Sequence, residues 1–290
     1  MRIKFLKLYE MIKVLKPGFF TTIQDKGRFG FAAIGVPISG VMDSYSADIA
    51  NSILNNSLDA AVLEIIFGSC KFQFLHPTFI CVSGGDFSPK INQKSIKLNK
   101  KISVSEDDVL SFGKINYGVR SYLAVSGGIQ SEEKLNSKSF YQGITQVTAL
   151  KKEMILPTFS NIKEEASSTA SIKIDELHFN STKIKCSKGP EFGLLSAYQQ
   201  KVLFENTFSI SKDISRMGYR LNEEIGNDLP TLLTSAVLPG TVQLTPSGAL
   251  IILMRDCQVT GGYPRVLQLS EKAINILSQK TTHQNFNFLL

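Results

Sequence analysis

Residues 241–254, TVQLTPSGALIILM, set two apolar runs on either side of a Pro-Ser-Gly step. Proline fixes its own φ and glycine accepts angles closed to other residues, so residues 246–248 read as a hairpin loop and the flanking runs as paired strands. The run 249–254 is the most apolar of the chain, which places it in a core. The same design recurs in both directions. Short apolar runs bounded by turn residues lie at 11–16, 61–67, 70–75, 78–84, 94–99, 101–105, 108–113 and 120–127, then at 183–189, 207–212 and 265–270. Residues 92–94, Asn-Gln-Lys, form a second hairpin loop. The expectation is a mainly β chain with a few helices, built as a barrel or sandwich.

Three segments carry helical signals instead. Residues 43–56 open on Asp43 or Ser44 as N-cap, repeat apolar side chains at helical spacing and close on two asparagines. Residues 192–206 and 270–279 are the other two. A polar, serine-rich, aperiodic stretch at 161–171 reads as a linker between an N-terminal lobe at 11–160 and a C-terminal lobe at 172–290. Residues 1–10 precede a second methionine, Met11, and read as an N-terminal extension.

Composition narrows the function. The chain has 290 residues, 43% of them apolar, and a formal charge of +7. No run approaches the roughly 18 apolar residues of a membrane span, and the charged start lacks a cleavable leader, so a cytoplasmic protein is expected. The lysines are dispersed along 91–104 and 181–189 rather than lining one helix, which reads as a solvated basic surface and not as a nucleic-acid site. Such a surface suits an anionic substrate or an acidic protein partner. Cys70, Cys81, Cys186 and Cys257 sit in apolar runs without metal-ligand spacing, and His76, His178 and His283 are scattered, so buried thiols and no metal centre are expected. The chain has no phosphate-binding glycine loop, no dinucleotide fingerprint, no serine elbow and no HExxH helix. Chemistry must then rest on Asp, Glu, Arg, Lys, Gln, Ser or Thr.

Two regions concentrate those residue types. Residues 21–43, TTIQDKGRFGFAAIGVPISGVMD, alternate like neither a strand nor a helix, and a loop of that length is uncommon unless it is functional. Gly27, Gly30, Gly35 and Gly40 free the backbone to form an anion-binding nest, and Thr21, Thr22, Gln24, Asp25, Arg28, Ser39 and Asp43 stand around them. Asp25 and Arg28 either pair with each other and pin the loop or face a small substrate bearing carboxylate and amide groups. The second region gathers Arg216 and Arg220 from SRMGYRL, Gln243 after a Pro-Gly turn, and Asp256, Gln258, Thr260, Tyr263 and Arg265 from MRDCQVTGGYPR at the end of the apolar run. Glu64 lies inside the apolar run 61–67, either solvated outward or desolvated inward. Gly-Gly pairs end three apolar runs, in CVSGGD, AVSGGI and QVTGGY, as tight turns or as close approaches to a ligand.

Residues 18–56, GFFTTIQDKGRFGFAAIGVPISGVMDSYSADIANSILNN, resemble the signature of the allophanate hydrolase subunit 2 family, which also includes biotin-dependent carboxyltransferases and the C subunits of 5-oxoprolinases. The resemblance continues through AAVLEIIFG, residues 87–113, SYLAVSGGI, SRMGYRL, VLPGTVQ and QVTGGYPR. It implies cyclophilin-like β-barrel architecture in two lobes and three related roles. One is that of the C subunit of an ATP-dependent 5-oxoprolinase, acting with the B and A subunits on a lactam. The second is carboxyl transfer from carboxybiotin to a urea-like substrate. The third is antagonism of a kinase inhibitor without turnover. ATP would be shared with a partner protein, and no biotin would be attached to this chain. At positions that the resemblance supports, the chemistry of the residue types makes Arg28, Arg216 and Arg265 the expected anion contacts, and Asp25 and Asp256 the expected acid–base groups or acceptors. Gln24, Gln243 and Thr260 are expected to orient substrate, with Thr22, Ser39, Asp43, Arg220, Gln258 and Tyr263 lining the site. The loop is expected to face residues 258–265. Ser215, Ser69, Lys138 and Phe140 depart from the family pattern, and a lysine at 138 gives up the planar fork of arginine.

Overall fold

Apolar runs bounded by turn residues fold as strands in the computed structural model, which describes residues 8–159, 172 and 174–290. The expected linker at 161–171 and the first seven residues of the expected extension lie outside the described residues. The chain groups into two compact units, Met1–Gly27 with Asp43–Ile174 and Arg28–Met42 with Asp175–Leu290. It is mostly β, with 37% strand and 14% helix.

The first unit holds β1 (Leu8–Lys16), β2 (Phe20–Gln24), α1 (Ser44–Ile53), β3 (Val62–Ile66), β4 (Lys71–Phe74), β5 (Thr78–Asp86), β6 (Lys90–Ile91), β7 (Lys94–Ser95), β8 (Ile102–Val104), β9 (Val109–Ser111), β10 (Tyr117–Val125) and β11 (Ile155–Phe159). Two sheets form, in the orders β11-β1-β4-β9-β6-β7 and β2-β3-β10-β5-β8. Ile12, Val14, Phe72, Phe74 and Leu110 of the first share one core with Ile23, Leu63, Ile65, Val82 and Leu123 of the second. The β6–β7 hairpin turns at Asn92 and Gln93, both at positive φ (46° and 70°), as a type I′ turn requires.

Residues 21–24 are a correction to the sequence reading. They form most of β2, paired with β3 from Phe20↔Ile66 to Gln24↔Val62. Thr21, Thr22, Ile23 and Gln24 are all buried, and a strand covered on both sides loses the polar–apolar alternation by which strands are read. Irregular backbone therefore starts at Asp25, and a short 3-10 turn, Ala32–Ile34, interrupts it.

Helix α1 begins where expected, with the Asp43 carboxylate accepting from the Ser46 N–H at 3.2 Å and the Ser46 hydroxyl at 2.6 Å. It packs over β5 and β10. Beneath it, Gly84 makes the close approach of β5 to β10 possible. Its φ is +84°, and a Cβ there would lie 2.7 Å from the Arg120 carbonyl oxygen and 3.1 Å from the Tyr122 ring. The other Gly-Gly pairs also meet the chain's own atoms. A Cβ on Gly128 would lie 3.0 Å from that of Ala60, and one on Gly261 would lie 2.6 Å from Gln243 Nε2. All three echoes thus serve close packing.

The second unit holds α2 (Leu177–Asn180), β12 (Lys183–Lys188), α3 (Ala197–Glu205), β13 (Phe208–Ile214), β14 (Gly218–Glu224), β15 (Ser235–Ala236), β16 (Thr241–Leu244), β17 (Ala249–Leu253), β18 (Thr260–Gly261), β19 (Arg265–Leu269), α4 (Glu271–Ser278) and β20 (Asn285–Leu289). Seven strands close into a barrel in the order β12-β19-β16-β17-β14-β13-β20, with β12 and β20 paired in parallel to complete the ring. The hairpin expected at 246–248 joins β16 to β17, and Val242, Leu244, Leu250 and Ile252 project into the barrel core. Ser196 and Gln199 form a reciprocal capping box at the start of α3. Met42 packs in this core, which ties residues 28–42 to the barrel despite their distance in sequence.

Lys280, just past α4, is 3% exposed and has no acceptor for its ammonium group among the described residues. Burial lowers its pKa below the ordinary 10.5. The folded state then binds the proton less readily than the unfolded state, so the cost is full below the lowered pKa and fades as pH rises towards 10.5. Lys280→Met is expected to stabilise the protein at neutral pH by about 1 kcal/mol. Denaturation at neutral and alkaline pH checks this, and a gain that does not shrink with rising pH would contradict it.

Candidate functional site

In the first unit, the Asp25 carboxylate is a clasp. Its Oδ1 accepts from the Gly27 N–H at 2.8 Å and from the Ser137 and Ser139 hydroxyls at 2.6 Å each, and its Oδ2 accepts from the Lys138 N–H at 2.5 Å. These donors occupy both oxygens, so the side chain ties the end of β2 to residues 137–139 rather than standing ready as a base. Position 138 contributes through its backbone, which is indifferent to the exchange of arginine for lysine. Gln24 donates to the Thr22 hydroxyl at 3.1 Å and to the Phe140 carbonyl at 3.3 Å, which fixes its amide inside the fold.

Strand register aligns Thr22, Glu64, Tyr122 and Ser83 in one row across β2, β3, β10 and β5. Glu64 is 1% exposed, which resolves its two readings in favour of the inward one. The buried Tyr122 hydroxyl accepts from the Asp43 N–H at 2.9 Å and donates to Glu64 Oε2 at 2.9 Å, while Arg120 Nε lies 3.9 Å from Glu64 Oε1. Burial, reinforced by the Glu64 and Asp43 charges, holds the Tyr122 phenol well above its ordinary pKa. The Ser83 hydroxyl is buried without a hydrogen-bond partner. Asp43, expected to line a substrate site, instead caps α1 and joins this network. Sequence reading missed Tyr122 and Arg120 because both lie in an apolar run read as plain core. Their spacing at i and i+2 on one face of that run was the available signal.

In the second unit, Arg216 and Asp256 form a two-point pair, with Nε to Oδ2 at 2.7 Å and Nη2 to Oδ1 at 2.9 Å. Nη2 also donates to the Gly40 carbonyl at 2.6 Å, and the Ser39 N–H donates to the Arg255 carbonyl at 2.9 Å. Residues 28–42 are thus clamped to the barrel end where β14 and β17 meet. Within them, the Arg28 N–H donates to the Ile38 carbonyl at 2.6 Å. Ser39 takes φ +59°, and its buried hydroxyl has no partner. An unmet polar group in strained backbone marks a position where fold stability alone does not account for the residue.

Arg265 is similarly engaged. It meets Glu191 through Nε at 2.9 Å and Nη2 at 2.7 Å, and it donates to the Ala236 carbonyl at 2.8 Å. The guanidinium holds the Glu191 carboxyl below its usual range, and the same contact raises the Arg265 pKa. Nothing around Glu191 in the sequence announced this pairing. Arg220 is exposed on β14. Gln243 is buried in β16, and Gln258, Thr260 and Tyr263 are exposed around β18. The expected site residues therefore divide by environment. Asp25, Asp256, Arg216 and Arg265 are held by partners within the chain, whereas Gln258, Thr260 and Tyr263 present polar groups to solvent.

The four cysteines are buried and free. Burial pushes the Cys81 and Cys257 thiols up to about 12 and Cys186 to about 11, and raises Cys70 further, so none is poised as a thiolate nucleophile. Among the described residues, no helix is long and apolar enough to cross a membrane.

The chain is 30% identical over 285 residues to the C subunit of 5-oxoprolinase from Escherichia coli strain K12, covering 96% of this chain and 91% of that protein. It is 43% identical over 130 residues to urea amidolyase of Lachancea kluyveri, an alignment that covers 44% of this chain and 7% of that protein. Among solved structures, the Kluyveromyces lactis urea carboxylase superposes with a TM-score of 0.83 at 27% identity, covering 98% of this chain and 28% of that one. The family described as carboxyltransferase domain, subdomain A and B, matches residues 34–290. The resemblance read from residues 18–56 and the downstream motifs is borne out: the chain belongs to this carboxyltransferase-domain family.

Proposed function

We propose that the chain is the C subunit of an ATP-dependent 5-oxoprolinase, a hydrolase component that opens a cyclic amide only when assembled with the A and B subunits. The observation that carries the reading is the end-to-end match to a freestanding bacterial protein of that name. Opening a lactam requires donors at the carbonyl oxygen, where negative charge develops, and groups that hold the ring in one pose. In this reading Gln258, Thr260 and Tyr263 touch the substrate. Gln243 and the Arg216–Asp256 pair are positioning residues, and Ser39 offers its unpartnered hydroxyl.

Two of the three arginines expected as anion contacts carry no spare charge for a triphosphate. Arg216 and Arg265 are each matched in two-point geometry by a carboxylate, so neither brings spare positive charge. The reading shares ATP with a partner protein and gives this chain no biotin of its own.

The test is reconstitution with the A and B subunits and measurement of 5-oxoproline-dependent ADP release. Omission of this chain is expected to abolish release, and Thr260→Val or Gln258→Ala to lower kcat by about tenfold or more with the complex intact. No ADP release from a verified complex would overturn the reading. A second reading, carboxyl transfer from carboxybiotin to a urea-like substrate, is favoured by the higher local identity to urea amidolyase. Carboxybiotin consumption dependent on urea, without response to 5-oxoproline, would select it.

A further inference from the structure

Register in the six-stranded sheet lines up basic side chains across strands. Lys16 of β1 lies opposite Lys71 of β4, Lys71 opposite Ser111 of β9, and Ser111 opposite Lys90 of β6. The next row, Val14, Phe72 and Leu110, points into the core, so the lysine row faces outward, and Lys16, Lys71 and Lys90 are all exposed. Like charges placed opposite each other in a sheet are unfavourable, and no ion pair among the described residues offsets them here. None of the three lysines has an ion-pair partner among the described residues, whereas Lys13 on the same sheet meets Glu153 at 2.7 Å.

An apolar group ends the row. Phe19 follows Lys16 by three residues, is 76% exposed, and leans edge-on against Phe67 with ring centroids 5.8 Å apart. Gly18 approaches the residues that lead into β4 so closely that a Cβ would lie 2.5 Å from the Gly68 carbonyl oxygen and 3.2 Å from Cys70 Cβ. Phe19 thus lies three residues beyond Lys16, against Phe67, which precedes Lys71 by four residues in the chain. The row spans only about 14 Å, three steps of roughly 4.8 Å between strands. A short run of unmatched charge beside an exposed aromatic has the makeup of a protein interface, where an aromatic anchor sits within a charged rim.

We propose that Lys16, Lys71 and Lys90, with Phe19 as apolar anchor, dock an acidic surface of another protein of the same complex; the inference rests on the reading of this chain as one component of a multi-protein assembly. The lysines steer and orient the partner, and Phe19 enters a pocket on it.

The test uses the full chain with the A and B subunits of 5-oxoprolinase, and reads association by calorimetry. Lys16→Glu/Lys71→Glu/Lys90→Glu is expected to weaken association about 100-fold and Phe19→Ala about tenfold, with circular dichroism unchanged because all four side chains are exposed. Wild-type affinity is expected to fall as salt rises from about 0.05 M to about 0.5 M. Lys183→Glu/Lys185→Glu, on exposed positions of β12, is expected to leave association unchanged. Association of the triple variant within twofold of wild type would overturn the docking face alone. Failure of the wild-type chain to associate at all would overturn the functional reading and this inference with it. Binding of a short DNA duplex that the triple variant loses, with protein association unaffected, would assign the row to nucleic acid and overturn the proposal.

Discussion

Asp256→Ala is expected to destabilise the protein by about 3 kcal/mol, read as a lower denaturation midpoint at unchanged m-value. Arg216 and Asp256 are 9% and 8% exposed, so removing the carboxylate leaves a guanidinium largely shut off from water without its two-point partner. The transfer penalty of that charge, more than the lost hydrogen bonds, sets the size of the effect. Arg216→Met reverses the problem by stranding the carboxylate, and it also removes the donor to the Gly40 carbonyl that clamps residues 28–42. The double variant Arg216→Met/Asp256→Leu removes both charges together and is expected to recover more than half of the loss. If the single and double variants lost stability additively, the pair would not be coupled and the argument from desolvation would fail. The same series separates stability from chemistry. In the reconstituted complex, a positioning pair predicts that the double variant refolds yet remains defective in turnover.

How far the sequence foretells this structure depends on what each residue touches. The hairpins at Asn92–Gln93 and Pro246–Gly248 were legible because turn residues state their own backbone angles. Helix α1 was legible because Asp43 is a local cap. Strand β2 was not, since Thr21, Thr22 and Gln24 are buried polar residues whose partners lie in other strands. Helix α2, four residues long, is too short to show a period. Strand β20 was also unanticipated, although Asn-Phe-Asn-Phe alternates as its buried phenylalanines require. For the candidate site, residue types were legible and pairings were not. Asp25 read either as a partner of Arg28 or as facing a substrate, and Asp256 and Arg265 looked like free chemistry in one dimension. Their partners, Ser137 with Ser139, Arg216, and Glu191, lie 40 or more positions away and are joined only by folding.

Glu64→Leu is the second large effect expected, a loss of about 3 kcal/mol or more, because the carboxylate sits against Arg120 and Tyr122 in a cluster with almost no access to water. Tyr122→Phe is expected to cost less, about 1–2 kcal/mol. It deletes the hydroxyl that accepts from the Asp43 N–H and donates to Glu64, and leaves both groups to find other partners. The two changes act on one network, so the double variant should fall short of the sum by about 0.5 kcal/mol or more. Alkaline pH gives a readout specific to the phenol. The folded-state pKa of Tyr122 is raised, so its contribution is fully present below the ordinary tyrosine value of 10.0 and is lost as pH climbs from there towards the raised one. Wild-type stability should therefore decline above pH 10, and the decline should be shallower in Tyr122→Phe. Lys280→Met supplies the opposite signature, because a buried base with a lowered pKa becomes less costly as pH rises. Equal alkaline slopes for wild type and Tyr122→Phe would show that the phenol does not hold its proton through the network. The row linking Thr22, Glu64, Tyr122 and Ser83 would then be packing alone, without a polar tie to the Asp43 N–H at the start of α1.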